Sequence, residues 1–120
     1  MKLSEAIRLG AMLKPQGSGR FYQNGRTCAL GAALDAIGRL DTSREWSEYD
    51  LAEKSFPALC AVATPPDWDG YSDPPLWRAI EWLNDCEHWT REQIADWVAT
   101  IEAQHEAKQA EQPVAVEVAK

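Results

Sequence analysis

The segment between Thr27 and Gly38 constrains the fold of this chain more than any other. Its large apolar residues, Leu30, Leu34 and Ile37, recur at the i, i+4, i+7 spacing of one helix face. The opposite side of the same helix carries mostly small residues, namely Cys28, Gly31, Ala32 and Asp35. A helix with one bulky face and one small face is typical of a central position, since neighbours can approach the small face closely. We predict this helix over residues 28–37, capped by Thr27 and followed by Gly38.

Start signals predict further short helices around the central one. The clearest is the capping box of Thr90 and Gln93, where Trp89 can also pack on Ile94 as a hydrophobic staple. The other predicted starts are Ser4 before a helix over residues 5–13, Ser47 with a staple from Trp46, and Asp73 with Pro74 as first helical residue. Two apolar stripes complete the expected core, namely Leu76, Ile80 and Leu83 in the fourth helix, and Ile94, Val98 and Ile101 in the fifth.

These signals predict an all-α fold, a compact single domain of four to five short helices. The Asn24-Gly25 dipeptide favours a type I′ turn, and hence a small β-hairpin near residues 20–27. A loop bounded by prolines, residues 65–75, separates the third and fourth helices. The helical domain is expected to cover residues 1–105. Residues 106–120 lose the apolar period and are expected to form a flexible C-terminal tail.

The charge of the chain is strongly negative and unevenly distributed. The net charge is −7; the first forty residues carry six Lys or Arg against two acids, and the remaining eighty carry six against 17. Such a field disfavours binding to nucleic-acid phosphates and to anionic lipid. Neither nucleic acid nor a membrane is therefore an expected partner, whereas a protein with a basic surface fits the charge.

The location expected from the sequence is the cytoplasm. The sequence has no run of about 18 apolar residues that could span a membrane, and the residues from Met1 to Glu5 lack the apolar region of a signal peptide behind them. Three widely spaced cysteines are an odd number, which is not typical of a secreted disulfide scaffold. We expect free thiols.

Cys28 is the candidate nucleophile in an alternative, enzymatic interpretation. It stands at the predicted N-terminus of the central helix, where the helix macrodipole can lower the pKa of a thiol. His88 would be the base, oriented by Asn84 or Asp85 in a papain-like arrangement. Because cysteine is among the residues most often fully buried, a structural Cys28 is favoured and no catalytic residue is expected.

Two residue sets carry metal-ligand atoms without the spacing of a metal site. Cys86 and His88 could join Cys28 and Cys60 around zinc, but structural zinc sites usually have two close ligand pairs and this chain has one. The aspartates around Gly70 lack the EF-hand order. We expect neither a metal nor another cofactor.

Two segments of the chain, taken in their order along the sequence, resemble a known pattern. The first is Cys28-Ala29-Leu30-Gly31-Ala32, and the second joins Leu83-Asn84-Asp85 to the Thr-capped helix that begins Trp89-Thr90-Arg91-Glu92-Gln93. Together they resemble a loose group of small uncharacterised proteins of bacteria and their phages. These proteins share a Cys-Ala-x-Gly-Ala helix start and a later Asn-Asp turn before a Thr-capped helix. The resemblance implies a phage or prophage accessory gene rather than a particular chemistry.

Aromatic residues on and beside the proline-bounded loop are the candidates for partner binding. Trp68 and Tyr71 stand on the loop, and Trp82 falls outside the core stripe of the fourth helix. Tryptophan and tyrosine are enriched at binding hot spots. The predicted partner-binding residues are Trp68, Asp69, Tyr71, Trp82 and Glu81.

The function that these features favour is a non-enzymatic, protein-binding accessory module of phage or prophage origin that acts on a host protein. One version is an inhibitor of a bacterial defence system such as CRISPR-Cas, whose acidic side chains occupy a basic, nucleic-acid-binding groove. The alternative is a small cysteine-dependent enzyme that uses Cys28 and His88.

Overall fold

The architecture follows from a computed structural model that describes residues 1–40 and 48–118, with side chains for residues 1–40 and 49–108. The α-helices in these residues are α1 (Leu3–Ala11), α2 (Ala29–Ala36), α3 (Glu48–Ser55), α4 (Leu76–Asp85) and α5 (Arg91–Val118). Strands β1 (Tyr22–Gln23) and β2 (Arg26–Thr27) form an antiparallel hairpin, and a 3-10 turn covers Pro57–Cys60. The prediction of a compact, mostly α-helical domain with a small hairpin is confirmed.

Helix α2 lies at the centre of the fold, as its two-faced sequence predicts. It packs against α1, α3 and α4, and its side chains Leu30 and Leu34 are fully buried, whereas Ile37 at its C-cap is partly buried. A Cβ atom on Gly31 would lie 1.9 Å from the carbonyl oxygen of Phe21. On α1, a Cβ atom on Gly10 would lie 1.7 Å from the carbonyl oxygen of Ala32. Glycine at these two positions therefore allows the backbone contact between the helices and their neighbours.

The N-cap of α2 is Cys28 rather than the predicted Thr27. Cys28 has an extended backbone, and its Sγ atom accepts a hydrogen bond from the N–H of Gly31 at 3.4 Å. Thr27 pairs with Tyr22 in the hairpin, and its hydroxyl accepts a hydrogen bond from Arg91. Because the hairpin holds Thr27 as its last strand residue, α2 starts one position later.

Helix α1 begins before its predicted cap. Its N-cap is Lys2, which makes no side-chain capping bond. Ser4 lies buried inside the helix, where its hydroxyl donates to the carboxylate of Glu102 on α5. A partner on another helix thus replaces the local capping role that the sequence predicts for Ser4.

The start of α4 also differs from the prediction of Asp73 as cap and Pro74 as first helical residue. The helix begins at Leu76, with Pro75 as an N-cap that has no side-chain bond. The Pro74 carbonyl accepts from the N–H of Ala63 at 3.0 Å, and the N–H of Leu76 donates to Ala61 at 2.7 Å. These two bonds hold the prolines extended against residues 61–63, which delays the helix.

Two local predictions are confirmed in detail. In the hairpin turn, Asn24 and Gly25 both have positive φ, 53° and 78°, as a type I′ turn requires. At the start of α5, the Thr90 hydroxyl accepts from the N–H of Gln93 at 3.1 Å, and the Gln93 side chain accepts from the N–H of Thr90 at 2.9 Å. Ile94 and Val98 of the predicted stripe are fully buried.

Two expectations concern segments at or beyond the edges of the described residues. Ser47 and Trp46, the predicted cap and staple of the third helix, lie outside the described residues. Helix α5 continues to Val118, beyond residue 106, where we expect a tail to begin. Side chains after Lys108 are not described, so a flexible C-terminal tail over residues 106–120 stays a prediction. None of the described helices is long and apolar enough to cross a lipid bilayer.

Candidate functional site

Asn84, at the end of α4, is a buried side chain that joins three distant parts of the chain. Its Oδ1 atom accepts from the backbone N–H of Ala29 at 3.2 Å and from Nε2 of Gln16 at 3.0 Å. Its Nδ2 atom donates to the carbonyl of Gly17 at 2.9 Å and to Oδ1 of Asp85 at 2.8 Å. Both N–H donors and the oxygen acceptor of the amide are therefore occupied by groups of the fold. This full use of the amide indicates a structural role, in which Asn84 caps an N–H group at the start of α2.

Cys28 lies beside this network, but its thiol is not activated. Cys28 is 6% exposed. Burial raises the pKa of its thiol to about 12, although hydrogen bonds from backbone N–H groups oppose the shift and the charges of Asp85 and Glu81 add to it. A thiol with this pKa is protonated near neutral pH, whereas a nucleophilic cysteine needs the thiolate.

His88 does not complete a catalytic set with Cys28. It follows α4 with a positive φ of 56° and is exposed. Among the described residues, the hydrogen bond at the Cys28 sulfur comes from Gly31, and none joins the sulfur to His88. The structure thus brings Cys28, Asn84 and Asp85 together and places His88 at the surface, an arrangement that does not favour the enzymatic alternative.

Arg91 is a buried residue that sequence reasoning missed. Its guanidinium donates to the hydroxyl of Thr27 at 2.9 Å, and to the carbonyls of Lys14 at 2.7 Å and Ala11 at 3.2 Å. Desolvation lowers its pKa. Its position in the sequence could have indicated its role. A cation in the first turn of a helix interacts unfavourably with the macrodipole, so such a residue is expected to have a compensating interaction with another part of the chain. That role is to join α5 to the end of α1 and to the hairpin.

Potential metal ligands do not converge in the part of the chain that the structure describes. No group of three His, Cys, Asp or Glu side chains there could hold a metal ion. Cys60 and Cys86 are exposed, Cys28 is buried, and all three are free thiols.

The loop over residues 65–75, which we name the aromatic loop, is held by Trp68. The indole Nε1 of Trp68 donates to the carbonyl of Ser72 at 3.0 Å, which closes the loop over the ring. A Cβ atom on Gly70 would lie 2.5 Å from that ring, so the loop passes directly against the indole. The ring in turn contacts Trp82 of α4 edge-on, with 5.3 Å between ring centroids. The loop is therefore anchored on the helical domain.

Tyr71 is at the outer side of this anchored loop. Its relative exposure is 111%, the highest among the exposed large apolar residues of the described chain. The neighbouring acids Asp67, Asp69 and Asp73 are exposed as well. The loop consequently presents one uncovered aromatic ring together with three exposed carboxylates.

Glu81 belongs to a different face of α4 from Trp82. Its carboxylate accepts a hydrogen bond from the hydroxyl of Tyr49 on α3. The Tyr49 ring lies edge-on to Phe21 and Trp77, with centroid distances of 4.9 Å and 5.6 Å. Burial raises the pKa of Glu81 despite the bond from Tyr49, which lowers it. Glu81 therefore already has a partner within the fold.

The predicted partner-binding residues thus divide into three roles. Tyr71 and Asp69 are exposed on the aromatic loop, Trp68 and Trp82 support it, and Glu81 is turned toward α3. Tyr49, Ser72 and Trp77 take part in this region although the sequence did not indicate them.

Comparisons of the chain with protein-family models, with curated proteins and with solved structures find no significant match.

Proposed function

We propose that this chain is a non-enzymatic module that binds a partner protein through the aromatic loop, with Tyr71 as the anchor residue. The observation that carries the proposal is the combination of a completely exposed tyrosine with a loop closed over Trp68. Tyrosine is enriched at binding hot spots because one ring supplies a large contact area and a polar end.

The anchoring of the loop supports this function energetically. Binding usually requires flexible segments to become ordered, and that ordering opposes association. Here the Trp68 indole, its bond to Ser72 and its contact with Trp82 order the loop in the free protein. A preorganised Tyr71 can therefore bind with a smaller entropic cost.

The charge supports a partner with a basic surface around an apolar pocket. Asp67, Asp69 and Asp73 are exposed on the same loop as Tyr71, and the whole chain carries a net charge of −7. Opposite charges across an interface raise the association rate and select against other partners. We place the interaction in the bacterial cytoplasm, with a host protein as partner and a phage or prophage accessory gene as the source of this chain. In its most specific form, the module inhibits a defence system such as CRISPR-Cas by covering a basic, nucleic-acid-binding groove.

Site-specific photo-crosslinking in bacterial cells tests the proposal. A photoreactive phenylalanine analogue replaces Tyr71 in one variant and Met12, which is 83% exposed on the end of α1, in the control variant. We expect one or a few host proteins to be crosslinked from position 71 and not from position 12. Identical crosslinking patterns from the two positions would contradict a specific role of the aromatic loop.

A further inference from the structure

A groove separate from Tyr71 lies between α5 and the extended segment that follows the 3-10 turn. Its volume is about 510 Å³, which is within the range of ligand-binding clefts. Ala58, Val62 and Thr64 line one wall, and Ile101, Gln104 and His105 of α5 line the other.

The wall at Val62 contains a backbone segment with one unpaired side, held by a single bridge residue outside the two named strands. Val62 pairs with Pro75 in an antiparallel bridge. The two hydrogen bonds of this bridge are made by the residues before and after Val62 and Pro75, not by Val62 and Pro75 themselves. The N–H of Ala63 donates to Pro74, and the N–H of Leu76 donates to Ala61. In this pattern the N–H and carbonyl of the central residue point away from the paired segment. Val62 is 68% exposed, and in the described chain its backbone groups make no hydrogen bond.

We propose that this groove binds an extended, Lys- or Arg-containing peptide segment of a partner protein, which pairs with Val62 as an added strand. When a peptide binds as an added strand, main-chain hydrogen bonds provide affinity and pockets select its side chains. The unpaired backbone groups of Val62 can form such hydrogen bonds, and the apolar groove beside them can hold side chains of the peptide. Ala58, Ala61, Val62 and Ile101 supply the apolar contacts.

Charge selects the partner peptide over a second copy of this chain. Two carboxylates and one ammonium group, those of Glu102, Glu106 and Lys108, line the groove. Ser4 donates to Glu102, and Lys2 forms an ion pair with Glu106 at 2.8 Å. The preference for a basic peptide therefore comes from the net charge of the chain, because two copies with a net charge of −7 each would repel, whereas a Lys- or Arg-containing peptide is attracted.

The test uses a displayed library of random peptides about seven residues long, a length suited to strand addition. It is selected in parallel on the full chain and on the Val62→Pro variant. Proline removes the free N–H of Val62 without removing a bond of the fold, and the preceding Ala61 already has the extended backbone (ψ 148°) that proline favours. We expect peptides rich in Lys and Arg to be enriched on the wild-type chain alone.

Purified peptides from that selection are then titrated into matched variants. Gln104→Trp fills the groove, and Ala103→Trp places the same side chain on the neighbouring exposed position of α5, outside the lining. We expect Val62→Pro and Gln104→Trp to weaken binding at least about tenfold, the effect of losing one or two interface bonds. Ala103→Trp and Tyr71→Ala should change the dissociation constant of the peptide less than about twofold, which corresponds to a small fraction of the binding free energy.

The amide NMR signals of residues 62–64 should shift on titration. Equal enrichment on the wild-type and Val62→Pro chains, no enrichment on either, or peptides that shift only the aromatic loop would overturn the groove proposal. Because Tyr71→Ala is a separate variant, these results leave the proposed function of the aromatic loop to its own test.

Discussion

The side-chain oxygen of Asn84 lies 3.2 Å from the backbone nitrogen of Ala29, so a residue at the end of α4 binds a free N–H group in the first turn of α2. Helix starts leave such N–H groups without partners inside the helix. Cys28 supplies the local cap to Gly31, and Asn84 supplies a second one across a separation of 55 residues. The position of α4 on the central helix is thereby coupled to the start of that helix.

Replacing Asn84 should destabilise the fold strongly. Asn84→Ala leaves the buried N–H of Ala29 and the partly buried carbonyl of Gly17 without their partner, and an unpaired, fully buried group costs about 1–3 kcal/mol. We expect the free energy of unfolding, measured by urea denaturation, to fall by roughly 2–5 kcal/mol. Gln104→Ala, which removes an exposed amide from α5, is the control and should have little effect. A loss for Asn84→Ala as small as that of the control would show that water replaces these bonds.

Gly31→Ala should prevent normal packing of α2. The added Cβ atom would lie 1.9 Å from the Phe21 carbonyl, so the backbone segments must move apart. Overpacking of a core usually costs about 1–3 kcal/mol, and a clash between backbone atoms places this variant at or above the upper end. Thermal melting should show a large drop for Gly31→Ala. Gly17→Ala is the comparison, since its nearest contact is the Cβ atom of Arg26 at 3.0 Å and its melting temperature should fall less. Equal melting temperatures for the two variants would contradict the close approach.

Features whose signals lie within a few residues were predictable from the sequence. The capping box of Thr90 and Gln93 and the Asn24-Gly25 turn are such cases, because the interacting groups are neighbours in the chain. The small face of α2 was predictable for a similar reason, since periodicity alone defines a helix face. The predicted helix caps were wrong where the capping residue forms a hydrogen bond with a distant part of the chain instead. Ser4 bonds to Glu102, a partner that no local pattern indicates.

The candidate site was predictable only in part. The prolines and aromatic residues of the loop indicated Trp68 and Tyr71, but not that the first supports the loop and the second is exposed. Glu81 was predicted to bind the partner together with Trp82. On a helix, Glu81 shares its face with Trp77, four positions earlier, and that face contacts Tyr49 of α3.

Native thiol labelling should separate Cys28 from the other two cysteines. Cys60 and Cys86 are exposed, whereas Cys28 is buried and its pKa is raised to about 12. With an alkylating reagent at pH 7.5, mass spectrometry should show rapid modification of Cys60 and Cys86 and slow modification of Cys28. Denaturant should remove the difference. Fast labelling of Cys28 in the folded protein would favour the enzymatic alternative.

The same burial predicts a loss of stability at alkaline pH. The unfolded chain releases the Cys28 proton near a pKa of about 8.5, and the folded chain releases it near 12. The stabilising contribution is therefore complete below about pH 8.5 and is lost as the pH rises toward 12.

Cys28→Ser isolates this contribution, because serine is a favoured N-cap that can accept from Gly31 and does not ionise. Between pH 7 and pH 10, urea denaturation should show a decrease for wild type that exceeds the decrease for Cys28→Ser by about 1–2 kcal/mol. Parallel pH profiles of the two proteins would contradict the raised pKa of Cys28.

The affinity of the partner crosslinked at position 71 tests the central claim most directly. Isothermal titration calorimetry compares wild type with Tyr71→Ala and with Met12→Ala, which truncates another exposed apolar side chain. If Tyr71 is the anchor, Tyr71→Ala should weaken binding by about thirtyfold or more, the effect of losing a hot-spot residue of about 2 kcal/mol. Met12→Ala should leave the affinity unchanged, and both variants should melt near the wild-type temperature. An affinity of Tyr71→Ala within about twofold of wild type would contradict the account, because a true anchor contributes far more binding free energy than that.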